Sequence, residues 1–313
     1  MLTFFISSCK NKLENENIFP DVKNVTALKN TDFVPTLESS FQIENNNIYA
    51  ATIPLTWNEI RTEIGTTLTH FSSKQLKEIN STKSYLDVLK ENAYDISAEV
   101  DGTEVNAKAI FRKSLPFDQP LTKFSKPLTF GNSKVESFGF WGNCEFAKIN
   151  YYTNENEFSI SLFPKDKEHE IILIMDKRRE KSFKNHIQNY YQRKELQKNK
   201  RIHFNTNDKV EIPILEFNLE KSFDHIIDST FKSNDTTYTM LEAYQRNAFI
   251  LNENGAEVES VVEVAADATE ELTTQHPKMM LFNKPFVILL KRKDAKNPYF
   301  GIYIFNEELL KKV

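Results

Sequence analysis

Six histidines and two cysteines are the side chains with which this 313-residue chain could do metal or nucleophilic chemistry. His70, His169, His186, His203, His225 and His276 stand apart, without the i, i+4 pairing of a helical metal site or the Cys/His spacing of a zinc site. Each reads as a surface or core histidine. The sequence has no glycine-rich phosphate loop, no nucleophile elbow and no Cys-x-x-Cys pair. Neither enzymatic chemistry nor a metal or cofactor is expected. Residues 138–141, aromatic but for Gly139, could hold a ligand, and packing is the better reading.

Cys9 has a different setting. It ends an apolar start carrying Leu2, Phe4, Phe5 and Ile6, and the residues from 10 to 17 are polar except Leu13. Ile6-Ser7-Ser8-Cys9 resembles a bacterial lipobox, whose cysteine is acylated after export to the cell surface or outer membrane. A leader needs basic residues and a longer apolar stretch ahead of it, so this reading places the true start before Met1. The other reading is a frayed N-terminal segment. A lipidated Cys9 leaves Cys144 alone, as a small core residue with no disulfide partner.

The third feature lies near the C-terminal end. After Gly255, the residues Ala256, Val258, Ser260, Val262 and Val264 alternate with Glu257, Glu259, Val261 and Glu263. That pattern is a strand with one small or apolar face and one mostly acidic face. Burying its three inward valines is worth roughly 5–9 kcal/mol. The segment is either a permanent strand or a spare one.

Around these features the chain is long enough to bury a large core, with 40% hydrophobic residues and a net charge of −4. Its basic residues form no block, which gives no footprint for nucleic acid. No apolar run reaches the roughly 18–20 residues of a membrane-spanning helix. Residues 1–46 read as a lipobox remnant and polar tether, and 47–313 as one domain. Thr56 is expected to cap a helix bearing Trp57, Ile60 and Ile64 and stopped by Gly65. Ser84 with Asp87 resembles a capping box ahead of Leu86, Leu89 and Ala93. A helix is expected over 180–197, strands over 158–162, 171–175 and 210–219, and a helix capped by Ser222. Two final strands cover 286–291 and 299–305. Mixed strands with segregated helices give an α+β class.

The tail FNKPFVILLKRKDAKNPYFGIYIFN resembles the C-terminal hairpin of serpins, with Phe282, Pro285 and Phe286 opening it and Phe300, Gly301 and Asn306 closing it. NAFILNENGAE is similar to the strand and proximal hinge ahead of the serpin reactive loop, with Glu253 and Gly255 at hinge positions. VEIPILEFNLEKSFDHII resembles the family's proline-bearing strand and following helix, and weaker similarity covers residues 106–111, Pro116 and Phe117, residues 126–130 and the strand pair around residues 158–175. The resemblance implies a serpin-like α+β fold, with mixed and antiparallel sheets and helices packed at one end. The short N-terminal third implies a reduced main sheet. The family's serine-proline pair is replaced by Ile53-Pro54, and its histidine before the hinge by Arg246 or Asn247.

The resemblance further implies a hinge of Glu253, Gly255, Ala256, Val258, Ser260 and Val262. Bait residues would lie among Thr269, Glu270, Glu271, Leu272, Thr273 and Thr274. In inhibitory members the cleaved loop enters the main sheet as a new strand, carrying the acylated protease with it. The partner would be a serine or cysteine endopeptidase met by a monomer, with a membrane engaged only through the lipid. The alternative is a non-inhibitory surface lipoprotein serving as a binding or structural module. Val258, Glu259 and Val261 stand where inhibitors carry small residues, and Ala265, Ala266 and Ala268 come later.

Overall fold

The computed structural model describes residues 19–65, 67–90, 95–111, 113–257 and 276–313. Among the described residues three sheets and three α-helices share one buried core. The class is α+β.

The main sheet is built on β16 (Thr236–Asn252), a strand of 17 residues. On one edge β14 (Leu215–Ser222) and β15 (Thr230–Ser233) pair antiparallel with it in succession. On the other edge β6 (Glu104–Phe111) pairs parallel, and β5 (Asp95–Asp101) forms an antiparallel hairpin with β6. Short pieces complete it: β1 (Lys23–Asn24), β4 (Leu68–Thr69), β7 (Leu115–Pro116) and β17 (Gly255–Glu257).

The second sheet runs β10 (Ala147–Asn154), β11 (Glu157–Leu162), β12 (His169–Met175), β19 (Phe286–Arg292), β20 (Phe300–Ile304), β3 (Asn46–Ala50) and β2 (Thr31–Val34). Its central strands are buried on both faces, as the continuous apolar run in β12 foretold. The third sheet runs β18 (Met279–Leu281), β13 (Lys209–Pro213), β9 (Ser133–Trp141) and β8 (Thr122–Phe130). Aromatic contacts join the layers: Phe249 of β16 lies 5.2 Å from Phe300 of β20, and Phe130 of β8 lies 6.3 Å from Phe286 of β19.

Helix α1 (Thr52–Ile64) packs against β5 and β6, with Trp57 edge-on to Phe231 of β15 at 5.2 Å. Helix α2 (Lys74–Ser81) is capped by Ser73, and α3 (Phe183–Leu196) by Ser182. Glu78 and Ser81 of α2 and Lys184 and Tyr191 of α3 line one groove. Among the described residues no helix is long and apolar enough to cross a membrane.

The C-terminal signature residues have structural reasons. A Cβ on Gly301 would sit 3.1 Å from the Phe183 ring, so glycine lets α3 close on β20. The Asn306 Oδ1 accepts from Asn46 Nδ2 at 2.7 Å and from Glu308 N at 3.0 Å, fixing the chain end to β3.

Several expectations fail for identifiable reasons. Thr56 lies inside α1, where its hydroxyl donates to Thr52 O at 2.9 Å, although Gly65 does end the helix. Ser84 and Asp87 belong to a turn: Ser84 Oγ donates to Glu38, Asp87 has φ +59°, and Leu86 is exposed. Ser222 caps no helix but ends β14 opposite Tyr244, and 224–228 form a turn between β14 and β15 that buries Ile226. The expected strand over 210–219 is two strands, because the chain leaves the third sheet at Pro213 and enters the main one at Leu215. The stretch expected as a tether is part of the fold from Val25 on, burying Val25, Phe33, Leu37 and Phe41. The main sheet holds β5, a strand the sequence pattern did not show.

Candidate functional site

Of the expected hinge residues, Glu253, Gly255 and Ala256 lie where the chain turns back after β16. A bulge between Met240 and Glu242 resets the pleat, and from there Ala243, Gln245, Asn247, Phe249 and Leu251 are buried on one face. The strand ends at Asn252, whose Oδ1 accepts from Asn254 N at 2.8 Å, and Gly255 follows at φ +128°. A Cβ on Gly255 would meet Leu115 O at 2.5 Å, Pro116 Cα at 2.7 Å and Phe117 N at 2.9 Å. Only glycine fits both the φ and the space.

Past this turn β17 runs antiparallel to β16, with Leu251 opposite Ala256 and Ile250 opposite Glu257. Its other edge pairs antiparallel with β7, Gly255 opposite Pro116 and Ala256 opposite Leu115. Phe117 N donates to Asn254 O and Leu121 N to Glu253 O, both at 2.8 Å. Ala256 is fully buried. Below, the order changes: β6 pairs directly with β16, ending with Phe111 opposite Asn247. The main sheet is therefore split at its top, holding a three-residue strand, and closed beneath.

The closed part is unusual in direction. Apart from the two-residue edge β1, every other pairing in the main sheet is antiparallel, and β6 with β16 is parallel. A strand inserted between them antiparallel to both would make the whole body antiparallel.

Beneath that junction, Gln245 Nε2 donates to Thr52 Oγ1 of α1 at 3.1 Å. Gln245 Oε1 and both amide atoms of Asn247 are buried without hydrogen-bond partners. Arg246 faces the other way and donates from Nε to Asn218 Oδ1 at 2.9 Å. Of the two residues standing in place of the family's histidine, Asn247 faces the core beneath the split and Arg246 faces away from it. Gln245 was missed, and its place follows only from the bulge that sets which residues face inward.

Among solved structures, this chain is similar to serpins. Serpin48, a highly specific serpin of the insect Tenebrio molitor, aligns at 14% identity and a TM-score of 0.36, over 64% of this chain and 55% of that one. A serpin from the trematode Schistosoma haematobium aligns at 14% identity and a TM-score of 0.40, over 66% of this chain and 58% of that one. The chain thus spans little more than half the length of either serpin. No protein-family model and no curated protein matches the sequence.

Other expected site residues fall elsewhere. Cys9, Val258, Ser260, Val262, Thr269, Glu270, Glu271, Leu272, Thr273 and Thr274 lie outside the described residues. Glu253 and Ala256 flank Gly255 in the split, and the Glu253 Oε2 is buried without a hydrogen-bond partner. Lys123 lies close enough for its charge to act on Glu253; its hydrogen bond to Glu136 and that second carboxylate hold the ammonium above its usual range. Burial pushes the half-buried Cys144 thiol up to about 11, which suits a packing residue better than a nucleophile. In the aromatic cluster Phe138 and Phe140 are buried and Trp141 is exposed.

Asp166, Glu168 and His169 bring possible metal-ligand atoms within 4.8 Å of one another. Each is already engaged: Lys113 pairs with Asp166 at 3.2 Å, Lys90 with Glu168 at 2.6 Å, and His169 Nδ1 meets Tyr299 OH at 3.1 Å. Burial, then the charge of Lys113, lowers His169 to about 4. Burial alone would raise Asp166, but the Glu168 N–H and Lys113 outweigh it and lower its pKa. This is an ion-paired turn.

Proposed function

We propose that this protein is a serpin-like inhibitor of a serine or cysteine endopeptidase, without enzymatic activity of its own. It would present Thr269, Glu270, Glu271, Leu272, Thr273 and Thr274 as bait. After cleavage, the segment beginning at Gly255 would insert between β6 and β16. The observation that carries this reading is the split itself: β17 occupies the top of a gap whose lower part is closed by a parallel pair.

Continuing the β17 register down β16 sets Val258 opposite Phe249, Ser260 opposite Asn247, Val262 opposite Gln245 and Val264 opposite Ala243. Those four partners face the core. The apolar face of the segment would thus go inward, and Glu259 and Glu263 outward, without any slip of register. Ser260 would also bring a hydroxyl opposite the Asn247 amide, whose two polar atoms have no partner before insertion.

Export and acylation at Cys9 belong to the same proposal and would tether the inhibitor to a membrane surface through lipid alone. Its test is labelling with a radioactive or clickable fatty acid in an expressing bacterium. Loss of label in Cys9→Ser supports it, and a full-length chain that never takes label refutes it.

A second reading, a non-inhibitory surface lipoprotein, is favoured by how tightly the turn is locked. The Asn254 and Glu253 carbonyls are held by Phe117 and Leu121, as they would be in a permanent strand. Mixing the purified protein with a panel of serine and cysteine proteases separates the two. A covalent complex surviving denaturing electrophoresis supports inhibition. Loop cleavage with neither complex nor a rise in melting temperature leaves only the second reading.

A further inference from the structure

The split needs something to hold β7 away from β16. Phe111 pairs with Asn247 directly, whereas Leu115 and Pro116 reach β16 only through the intervening β17. Segment 113–118 therefore lies one strand spacing, about 4.8 Å, further out than β6 does.

Three consecutive residues of the β11–β12 turn reach this segment from its outer side. Lys165 N donates to Pro116 O at 2.8 Å. Asp166 pairs with Lys113 at 3.2 Å, and Lys167 pairs with Asp118. The turn is in turn anchored inward. Asp166 Oδ1 accepts from Glu168 N at 3.1 Å, and Asp166 Oδ2 lies 3.4 Å from His169 Nε2. His169 is buried in the second sheet against Tyr299. Lys167 also lies over the Phe146 ring at 6.0 Å.

We propose that the β11–β12 turn is a strap, with Lys113, Asp166 and Lys167 as positioning residues that hold β7 outward and keep the slot for β17 open. The strap couples the turn at Gly255 to the buried second sheet through His169. It would let opening propagate downward from a top already parted, instead of requiring a closed sheet to be parted anew. The last step rests on the inhibitor reading. The strap itself does not.

Hydrogen exchange on the intact full-length chain tests it. In Lys113→Ala/Lys167→Ala, both side chains are at least partly solvent-exposed, so the fold is retained. Amides of Gly255–Glu257 are expected to exchange about three- to tenfold faster than in the unaltered protein, with β12 and β19 unchanged. The conservative Lys113→Arg, which keeps the pair with Asp166, should retain the protection that Lys113→Asp removes. Unchanged protection over Gly255–Glu257 overturns the proposal, and so does faster exchange spread evenly through β12 and β19. A protein that forms no protease complex yet shows the hinge effect would retain the strap and lose the inhibitor reading.

Discussion

Replacing Gly255 by alanine puts a methyl group where three backbone atoms already lie, at 2.5, 2.7 and 2.9 Å, and at a φ of +128°. Forcing an L-residue into such a backbone region costs on the order of 1–3 kcal/mol. The overpacked contact adds about 1–3 kcal/mol. The molecule has a cheaper response. Withdrawing β17 from the split loses the burial of Ala256, about 0.8 kcal/mol. It also loses a few ladder hydrogen bonds at about 0.5–1.5 kcal/mol each. Release returns roughly 1–2 kcal/mol of backbone entropy per freed residue. Net release therefore costs within about 2 kcal/mol of nothing, less than the strain it relieves. Gly255→Ala should fold, lose exchange protection at Gly255–Glu257, and melt no more than about 4–8 °C lower. Hydrogen exchange with thermal unfolding decides it. Full protection over Gly255–Glu257 with an unchanged melting temperature would refute the steric reasoning, and protection lost across the whole main sheet would refute the release.

Acid should weaken the fold through His186, which lies between Phe41 and Tyr303 and is lowered by burial from 6.5 to about 4. The unfolded chain then binds the proton more readily, so the stability is intact above pH 6.5 and is lost as pH falls toward 4. The loss is at most about 3 kcal/mol. Denaturant midpoints across that window should show a shallower acid limb in His186→Phe, with His169 supplying the remainder; an unchanged limb contradicts the assignment. Asn247→Leu removes two buried, unpartnered amide atoms. It should raise the stability of the uncut protein by about 1–3 kcal/mol in urea titration, and a lower midpoint would count against the orphaned amide. In a Cys9→Ser background, Cys144 should resist iodoacetamide at pH 8 until denaturant is added, since burial holds its pKa at about 11; rapid labelling of the native fold would show that it is not buried as described.

Local chemistry was legible in the sequence wherever a short-range rule decided the outcome. The β19–β20 pair, the buried β12 and the helix over Phe183–Leu196 follow from alternation, continuous apolarity and a 3.6-residue period. Gly255, expected at a hinge by type and neighbours, takes a positive φ of +128° at the turn after β16.

What the sequence could not supply was the neighbour of each strand. Ser222 has the local look of a helix cap, yet eight consecutive pairings from Leu215 to Ser222 hold it in the sheet. The tether reading failed because the few apolar residues up to Asn47, Val25, Phe33 and Phe41 among them, find a core made by distant segments. Gln245 faces α1 only because a bulge shifts the pleat of β16 by one residue. The parallel closure of β6 on β16, the displacement of β7 and the turn that holds it join residues far apart in sequence. Short-range preferences fix the conformation of a segment, whereas which edge it pairs with is chosen by long-range burial and hydrogen bonding. The split in the main sheet is therefore a property of the tertiary structure alone.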